Sequence, residues 1–307
     1  MAAPPLTPAP ASAANSERDE VSSEAGSAGS GLGGLFEDPE DFYPPSPPPT
    51  VQTYTTATGA VVTLHLVGHS PLEAHHLWNG ARVVAGHFEA HPEVVRGRRV
   101  LELGAGAGLP SIVAAAVGAA KVVMTDFPDP DLLQTMRRNI SECALIPRAG
   151  DNDGPCVADG YVWGGAPAHL LAHLGGDNQK FDVLVLADLL FRHTEHHALL
   201  RSIATTMARS PRSMALVVFT SYRPWLQHKD LAFFDRARAQ GFEVEKLFEK
   251  KMDRPLFEND PGDEEVRKTV TAWGVRWPEA ACQGEGLVKW PLSEEEAEGK
   301  VRVFRED

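Results

Sequence analysis

Three glycines at alternate positions, Gly104, Gly106 and Gly108, follow a short apolar run and come just before Pro110. Glycine adopts backbone angles that are closed to other residues, and it lets a ligand approach the main chain closely. The apolar run at 100–103 favours a buried parallel strand, and Pro110 suits the first turn of a helix. The pattern therefore predicts a strand, a glycine turn and a helix that together bind a nucleotide-type cofactor.

A carboxylate ends the next apolar run. Asp126 is the last residue of the segment Lys-Val-Val-Met-Thr-Asp that begins at Lys121. An acid about 20 residues after a glycine turn, at the end of the second strand of a βαβ unit, accepts hydrogen bonds from a ribose diol. The combination predicts a Rossmann-type site for an adenosine cofactor, and the alternative is a tight turn with a purely structural role.

The glycine spacing disfavours a dinucleotide. The fingerprint G-x-G-x-x-G, started at Gly104, requires glycine where the chain has Leu109; started at Gly106, it requires glycine or alanine where the chain has Ser111. Neither register fits well, so a dehydrogenase is a distant alternative.

Composition and charge limit the remaining possibilities. The chain has 307 residues and a net charge of −13, of which residues 1–42 carry −7 and residues 279–307 carry −4. The central part is nearly neutral, so the sequence has no strongly basic nucleic-acid footprint and predicts no direct nucleic-acid partner. No apolar run reaches about 18 residues, so no membrane span is expected. Three cysteines without metal-ligand spacing suggest unpaired thiols in a reducing compartment, and we expect a cytoplasmic protein.

Three regions are predicted along the chain. Residues 1–34 form an acidic, low-complexity tail that should be disordered, residues 35–278 form one folded domain, and residues 279–307 form an acidic extension. The prolines at 44–49 give a stiff entry into the domain. The acidic tails favour solubilising disorder, with a basic protein partner as the alternative.

Regular alternation predicts an α/β fold. A β-hairpin is expected at 51–54 and 61–66, followed by an amphipathic helix at 72–87. Strands are then predicted at 99–104, 121–126, 158–163, 181–187, 214–220, 242–249 and 269–277, and helices at 110–118, 130–143, 165–174, 194–209 and 229–240. The order indicates a Rossmann-like, seven-stranded, mostly parallel sheet with helices on both faces. The last two strands have no helix between them, which predicts an antiparallel edge strand.

Several segments resemble a known family. Residues 100–110 and Thr-Asp-Phe at 125–127 are similar to motifs I and II of class I S-adenosylmethionine-dependent methyltransferases. Glu-Ala-His-His-Leu-Trp-Asn-Gly-Ala-Arg-Val at 73–83, Tyr-Val-Trp-Gly at 161–164 and Ala-Asp-Leu-Leu-Phe at 187–191 resemble the family 16 lysine methyltransferases. Residues 35–39, 188–191, 221–224 and 272–275 resemble the fungal elongation factor methyltransferases of that family, which were earlier labelled nicotinamide N-methyltransferases.

The resemblance implies an activity and a set of site residues. It implies that S-adenosylmethionine is the cofactor, and that the N-terminal glycine and adjacent lysine of translation elongation factor 1-alpha are methylated. Asp126 is expected to hold the ribose hydroxyls, Asp188 to orient the amine or a neighbouring loop, and Phe191 to form part of the amine channel. The other expected cofactor contacts are Trp78, Gly104, Ala105, Gly106, Trp163 and Ala187. We expect a monomer.

Two other functions remain open at this point. A small-molecule amine N-methyltransferase, acting on an acceptor such as nicotinamide, would need a closed apolar pocket. A non-catalytic S-adenosylmethionine-binding module is disfavoured because the glycine loop, Asp126 and Asp188 are all present. For Asp188 itself, the alternative role is an N-cap of the helix that follows it.

Two groups of histidines raise the question of a metal. His193 and His197 are spaced i, i+4, but the surrounding pattern is H-x-x-H-H and not H-E-x-x-H. We therefore interpret His193, His196 and His197 as a solvated helix start. His75 and His76 are interpreted as helix surface, and no metal site is predicted.

Overall fold

The computed structural model describes residues 47–147, 154–176 and 179–283. The predicted N-terminal tail, the segment 35–39 and the acidic extension beyond residue 283 lie outside the described residues. The described part contains a two-stranded hairpin and a seven-stranded sheet. None of its helices is both long and apolar enough to cross a membrane.

The elements follow the predicted alternation, except that a four-residue helix at Glu264–Arg267 lies between the last two strands, where no helix was predicted. The strands are β1 (Thr50–Thr55), β2 (Val61–Leu66), β3 (Arg99–Leu103), β4 (Lys121–Asp126), β5 (Cys156–Gly160), β6 (Val183–Ala187), β7 (Met214–Phe219), β8 (Glu243–Lys251) and β9 (Thr269–Arg276). The helices are α1 (Asn79–Ala90), α2 (Leu109–Ala116), α3 (Pro130–Glu142), α4 (Ala168–Ala172), α5 (His196–Thr206), α6 (Gln227–Ala239), α7 (Glu264–Arg267) and α8 (Glu279–Cys282).

The sheet has the strand order β5-β4-β3-β6-β7-β9-β8. Strands β3 to β7 pair in parallel, while β9 pairs antiparallel with both β7 and β8. The fold class and the antiparallel pair at the edge are confirmed. The strand that reverses direction is β9, which lies between β7 and the edge strand β8.

Residues on the central strands alternate between two cores. Val100, Val122 and Val183 belong to the core on the face covered by α1, α2 and α3. Leu101 and Leu184 belong to the core on the opposite face, which contains apolar residues of α4, α5 and α6. Because successive side chains of a strand point to opposite faces, strands buried on both sides become continuously apolar, as the sequence of β6 and β7 shows.

Two predicted boundaries differ in a way that affects the site. The helix expected at 72–87 begins only at Asn79, and residues 71–76 form turns. Glu73 has a φ of +64°, which is incompatible with a continuous helix. The strand expected at 158–163 instead ends at Gly160, so the residues that follow it lie in a loop. Both differences move aromatic residues out of regular elements and into loops at one end of the sheet.

Candidate functional site

The glycine loop connects β3 to α2 at the carboxyl end of the sheet. Gly104 and Gly106 have φ values of +60° and +54°, in the left-handed region that favours glycine. A Cβ added at Gly104 would lie 2.6 Å from Leu189 Cδ2 and 3.1 Å from Trp163 Cζ2. The loop therefore requires glycine at this position both for its backbone angle and for its close neighbours.

Asp126 ends β4 beside this loop. One of its carboxylate oxygens accepts a hydrogen bond from the Gly106 N–H and the other from the Phe127 N–H, each at 2.7 Å. Burial raises the pKa of Asp126, while the two backbone donors act in the opposite direction. A carboxylate oxygen has more than one acceptor position. Each oxygen of Asp126 can therefore also accept a ligand hydroxyl, as a ribose diol requires.

Glu102 is a second buried acid at this end of the sheet, and it was not among the residues predicted for the site. Its carboxylate accepts hydrogen bonds from the Ser111 N–H at 3.0 Å and the Ser111 hydroxyl at 2.5 Å. Burial raises the pKa of Glu102 to about 8. One feature of the sequence pointed to Glu102: it lies inside an otherwise apolar strand, and an acid is rarely buried there without a partner.

Asp188 follows β6 and connects two distant segments. It has a φ of +54°, and its carboxylate accepts hydrogen bonds from the Gly80 N–H at 2.6 Å and the Thr220 N–H at 2.8 Å. Gly80 lies in the first turn of α1, where a negative charge is favoured by the helix dipole. The alternative role as an N-cap of the following helix is wrong, because both donors belong to other parts of the chain. Burial raises the pKa of Asp188 to about 7.

An aromatic cluster around Trp78 lies at the cavity that Asp188 also lines. The rings of Trp78 and Phe191 are stacked, with centroids 5.6 Å apart and an interplanar angle of 17°. Tyr222 and Phe257 meet Trp78 edge-on at 5.1 and 5.7 Å. The Trp78 indole N–H donates to the Glu73 carbonyl oxygen at 3.1 Å. These contacts hold the Trp78 ring in place directly before the start of α1.

All nine residues predicted for the site line one cavity, which is partly open to solvent. They are Trp78, Gly104, Ala105, Gly106, Asp126, Trp163, Ala187, Asp188 and Phe191. The other lining residues were not predicted for the site; they include Leu72, Glu73, His76, Leu77, Glu102, Phe127, Tyr161, Val162, Leu189 and Glu195. Several of these lie in loops whose shape depends on distant contacts.

One of the three histidines after β6, His196, is not part of a solvated helix start. His196 is fully buried and bonds through its Nε2 to the Leu190 carbonyl oxygen at 2.8 Å, and burial lowers its pKa to about 4. His193 Nε2 bonds to Asp230 Oδ1 at 2.7 Å. The interpretation is wrong for His196 because α5 packs this side of the helix against the core.

The other histidine pair was predicted on a helix surface and instead lies in a turn. His75 and His76 are half-buried and come before α1. Burial lowers the pKa of His76, and the neighbouring His75 adds to the effect. His76 lines the cavity, so its ring is part of the site wall.

The fold and the site together define a class of protein. A parallel sheet, a glycine loop after the first strand of a βαβ unit and an acid at the end of the next strand form a Rossmann-like site for an adenosine cofactor. The residues fit such a group: the loop carries no side chain at Gly104 or Gly106, and Asp126 offers acceptors to a ribose. The cavity lies at the carboxyl ends of the strands, where open α/β sheets bind ligands.

Comparison with known proteins identifies the family. A family model described as lysine methyltransferase matches residues 71–240. A Neurospora crassa protein N-terminal and lysine N-methyltransferase, efm7, is 64% identical over 249 residues, covering 80% of this chain and 88% of that protein. Proteins of the same name from Gibberella zeae and Schizosaccharomyces pombe are 53% and 42% identical, covering 82% and 80% of this chain and 97% and 95% of the relatives.

The chain belongs to this lysine methyltransferase family. It is an S-adenosylmethionine-dependent protein methyltransferase, and the cavity at the carboxyl end of its sheet has the acceptors and the unobstructed backbone that this cofactor requires. The predicted cofactor and enzyme class are confirmed. The individual roles of the nine predicted site residues remain predictions.

Proposed function

We propose that this enzyme methylates the N-terminal glycine α-amine and the adjacent lysine of translation elongation factor 1-alpha. The main support is the 64% identity to a relative whose name describes a protein N-terminal and lysine N-methyltransferase. The elongation factor as acceptor follows from the resemblance of residues 188–191, 221–224 and 272–275 to the fungal elongation factor methyltransferases.

The chemistry requires a neutral amine. The cofactor supplies a methyl group on a sulfonium, which an amine accepts by in-line displacement. An α-amino group has a pKa of about 8 and a lysine of about 10.4, so the α-amine is the easier acceptor near neutral pH. The protein then has to align the amine, remove its water and let its proton leave.

We assign the roles of the site residues on this basis. Asp126 binds the ribose hydroxyls, and the backbone of Gly104, Ala105 and Gly106 approaches the cofactor. Trp163 and Trp78 enclose its adenine or methionine part, and Ala187 leaves room for it. A side chain larger than that of Ala187, or any side chain at Gly104 or Gly106, would occupy part of the cavity.

Asp188 acts as a positioning residue in this proposal. Its two carboxylate oxygens are engaged by the Gly80 and Thr220 N–H groups, so it fixes the start of α1 and the segment after β7. Phe191, stacked on Trp78, then forms one wall of the amine channel. Of the two roles expected for Asp188, orienting a neighbouring loop is the one that these contacts support.

The proposal is tested with purified enzyme, labelled S-adenosylmethionine and unmethylated elongation factor 1-alpha, followed by mass spectrometry of the N-terminal peptide. We expect methylation of the N-terminal glycine and the neighbouring lysine. Asp126→Ala should weaken cofactor binding by about 10- to 100-fold, because hydrogen bonds to a charged group contribute about 1.5–3 kcal/mol. Asp131→Ala is the matched control, since Asp131 is exposed on α3 and does not line the cavity.

The same assay includes nicotinamide as a small acceptor. Transfer to nicotinamide without transfer to the N-terminal peptide would overturn the protein acceptor and favour small-amine methylation. Cofactor binding without transfer to either acceptor would overturn the named target. We also propose a cytoplasmic monomer; a sedimentation measurement giving twice the chain mass of 33.2 kDa would contradict the monomer.

A further inference from the structure

A cluster of metal-ligating side chains lies in the turn before α1. Glu73, His75 and His76 each offer a ligand atom, and these atoms lie within 4.8 Å of one another. Glu73 Oε2 is 3.9 Å from His75 Nε2 and 3.7 Å from His76 Nε2. All three residues are half-buried. None of them has a role in the methyl transfer described above.

We propose that Glu73, His75 and His76 form a binding site for a divalent transition-metal ion of the zinc type, and that the bound ion inhibits the enzyme. Two imidazoles and a carboxylate are a ligand set that zinc accepts, with water in the fourth position. The sequence pattern E-x-H-H does not match the helical H-E-x-x-H motif, because these ligands converge in a turn.

The two separations that involve Glu73 are close to those of a tetrahedral site, and the two imidazoles offer ligand atoms within 4.8 Å of each other. With metal–ligand distances of about 2.1 Å, neighbouring ligand atoms in a tetrahedron lie about 3.4 Å apart. The two measured separations exceed this by about 0.3–0.5 Å, which small side-chain rotations can close. The turn already holds Glu73 at a φ of +64°, and the His75 and His76 rings lie with centroids 4.1 Å apart.

One existing contact would change on metal binding. The Ser70 N–H donates to His75 Nδ1 at 3.3 Å. A histidine that binds a metal through Nε2 carries its proton on Nδ1, so this hydrogen bond would be lost. At 3.3 Å it is longer than a usual N–H···O bond, and its loss is a small penalty.

Inhibition follows from the position of the site, and this part rests on the proposed function. Glu73 and His76 line the cofactor cavity, and the Glu73 carbonyl oxygen accepts the Trp78 indole N–H. A divalent ion would add two positive charges to this wall of the cavity. S-adenosylmethionine carries a positive sulfonium, and S-adenosylhomocysteine does not. The bound ion should therefore weaken binding of S-adenosylmethionine more than binding of S-adenosylhomocysteine.

The test is isothermal titration of the full-length, untagged protein with ZnCl₂. We use a Cys282→Ser background, because Cys282 is a partly exposed thiol that could bind zinc. We expect one ion per chain, and binding at least roughly tenfold weaker in His75→Ala and in Glu73→Gln, as loss of a ligand implies. His228→Ala is the matched control, since His228 is exposed on α6 and should not change binding.

Two variants guard against a folding artefact. His75 does not line the cavity, and Glu73→Gln keeps the size and backbone of the original residue. Circular dichroism and thermal unfolding confirm that each is folded. Absence of zinc binding in the parent protein, or equal binding in the parent and His75→Ala, would overturn the metal site. Because calorimetry needs no methyl transfer, this result is independent of the proposed acceptor.

The inhibitory part has its own measurement. Saturating zinc should weaken binding of S-adenosylmethionine by roughly threefold or more relative to S-adenosylhomocysteine, and the difference should disappear in His75→Ala. Equal effects on the two ligands, or no effect on either, would overturn inhibition by charge while leaving the calorimetric result to decide the metal site.

Discussion

Acidic side chains have opposite environments in two regions of this molecule. At the carboxyl ends of β3, β4 and β6, the carboxylates of Glu102, Asp126 and Asp188 are buried and accept hydrogen bonds from backbone N–H groups or a hydroxyl. Near the edge strand β8, Glu265 of α7 is exposed and forms ion pairs with Lys251 at 2.9 Å and with Lys268 at 2.5 Å.

The pKa values follow the environments. Burial raises the pKa values of all three site acids, to about 8 for Glu102 and about 7 for Asp188. The two lysines lower the pKa of Glu265 to about 2. An acid that is buried without a cation is costly to the fold, and groups with such perturbed pKa values concentrate at functional sites. The three buried acids line the cavity, whereas the exposed Glu265 carries charge at the sheet edge, where charged side chains disfavour pairing with another chain.

The largest expected effect tests the close packing of the loop. Gly104→Ala should lower cofactor affinity by about 10- to 100-fold, because a new Cβ displaces Leu189 or Trp163, which both line the cavity, and overpacking costs about 1–3 kcal/mol. Equilibrium binding of S-adenosylhomocysteine measures this.

Gly97→Ala is the matched control for that variant. Gly97 also has a positive φ, of +70°, but a Cβ there meets no atom within 4 Å. It should lose about 1–2 kcal/mol of stability from the backbone strain alone and keep its cofactor affinity. Equal loss of affinity in the two variants would show that backbone strain, and not the cavity, explains the Gly104 result.

The second prediction concerns the pH dependence of stability. The folded pKa of Asp188 is about 7, above an unfolded value of about 4, so the folded state binds more protons between these values. Its contribution is fully present below pH ~4 and is lost as pH rises through ~7. Asp188→Asn should therefore flatten the decline in unfolding free energy over this window, by at most about 1.4 kcal/mol per pH unit.

Urea denaturation at several pH values between 5 and 8 provides the measurement. Glu265→Gln is the comparison variant, because an acid with a lowered pKa loses its contribution only as the pH falls below ~4.5. A slope that is unchanged by Asp188→Asn, or that is flattened equally by Glu265→Gln, would contradict the assignment.

The third prediction compares two stacked aromatic pairs. Phe191 stacks on Trp78 at the cavity, while Phe248 of β8 stacks on His87 with centroids 4.8 Å apart. Phe191→Ala should raise the KM for the protein acceptor by roughly tenfold, since an aromatic contact contributes about 0.5–1.5 kcal/mol. Phe248→Ala should change stability but not KM. Steady-state kinetics would contradict the amine channel if both variants had the same KM.

The smallest expected effect lies at the sheet edge. Glu265→Gln should shift the Tm by no more than about 1 °C at neutral pH, because exposed ion pairs contribute little. Added salt should reduce even this shift. A large loss of stability or of methyl transfer on this substitution would remove the distinction between the two regions.

The fold and the main site residues were predictable from the sequence. The glycine loop and Asp126 are separated by a short, regular βα unit, so their spacing alone brings them together. Ala187 ends a strand of the same sheet, and Trp163, Asp188 and Phe191 follow its strands. Parallel strands present their carboxyl ends at one end of the sheet. Resemblance to the family supplied their expected roles, and the cavity contains all of them.

Other parts of the site depend on contacts that sequence spacing does not report. Gly80 and Thr220 meet Asp188 from 108 and 32 residues away. The turn that brings Glu73, His75 and His76 together looked like part of an amphipathic helix, since its apolar residues have helical spacing. Its real shape includes a positive φ at Glu73 and a hydrogen bond from Trp78 to the Glu73 carbonyl oxygen.

The sequence by itself determined the order of the elements, the buried strands and the position of the cofactor loop, because these depend on local periodicity and on glycine's backbone freedom. Only the tertiary structure decided which backbone groups the buried acids bind, which aromatic rings stack, and where the histidines lie. Those features arise from packing between segments distant in the chain, and the burial of a charge depends on neighbours that no local pattern specifies.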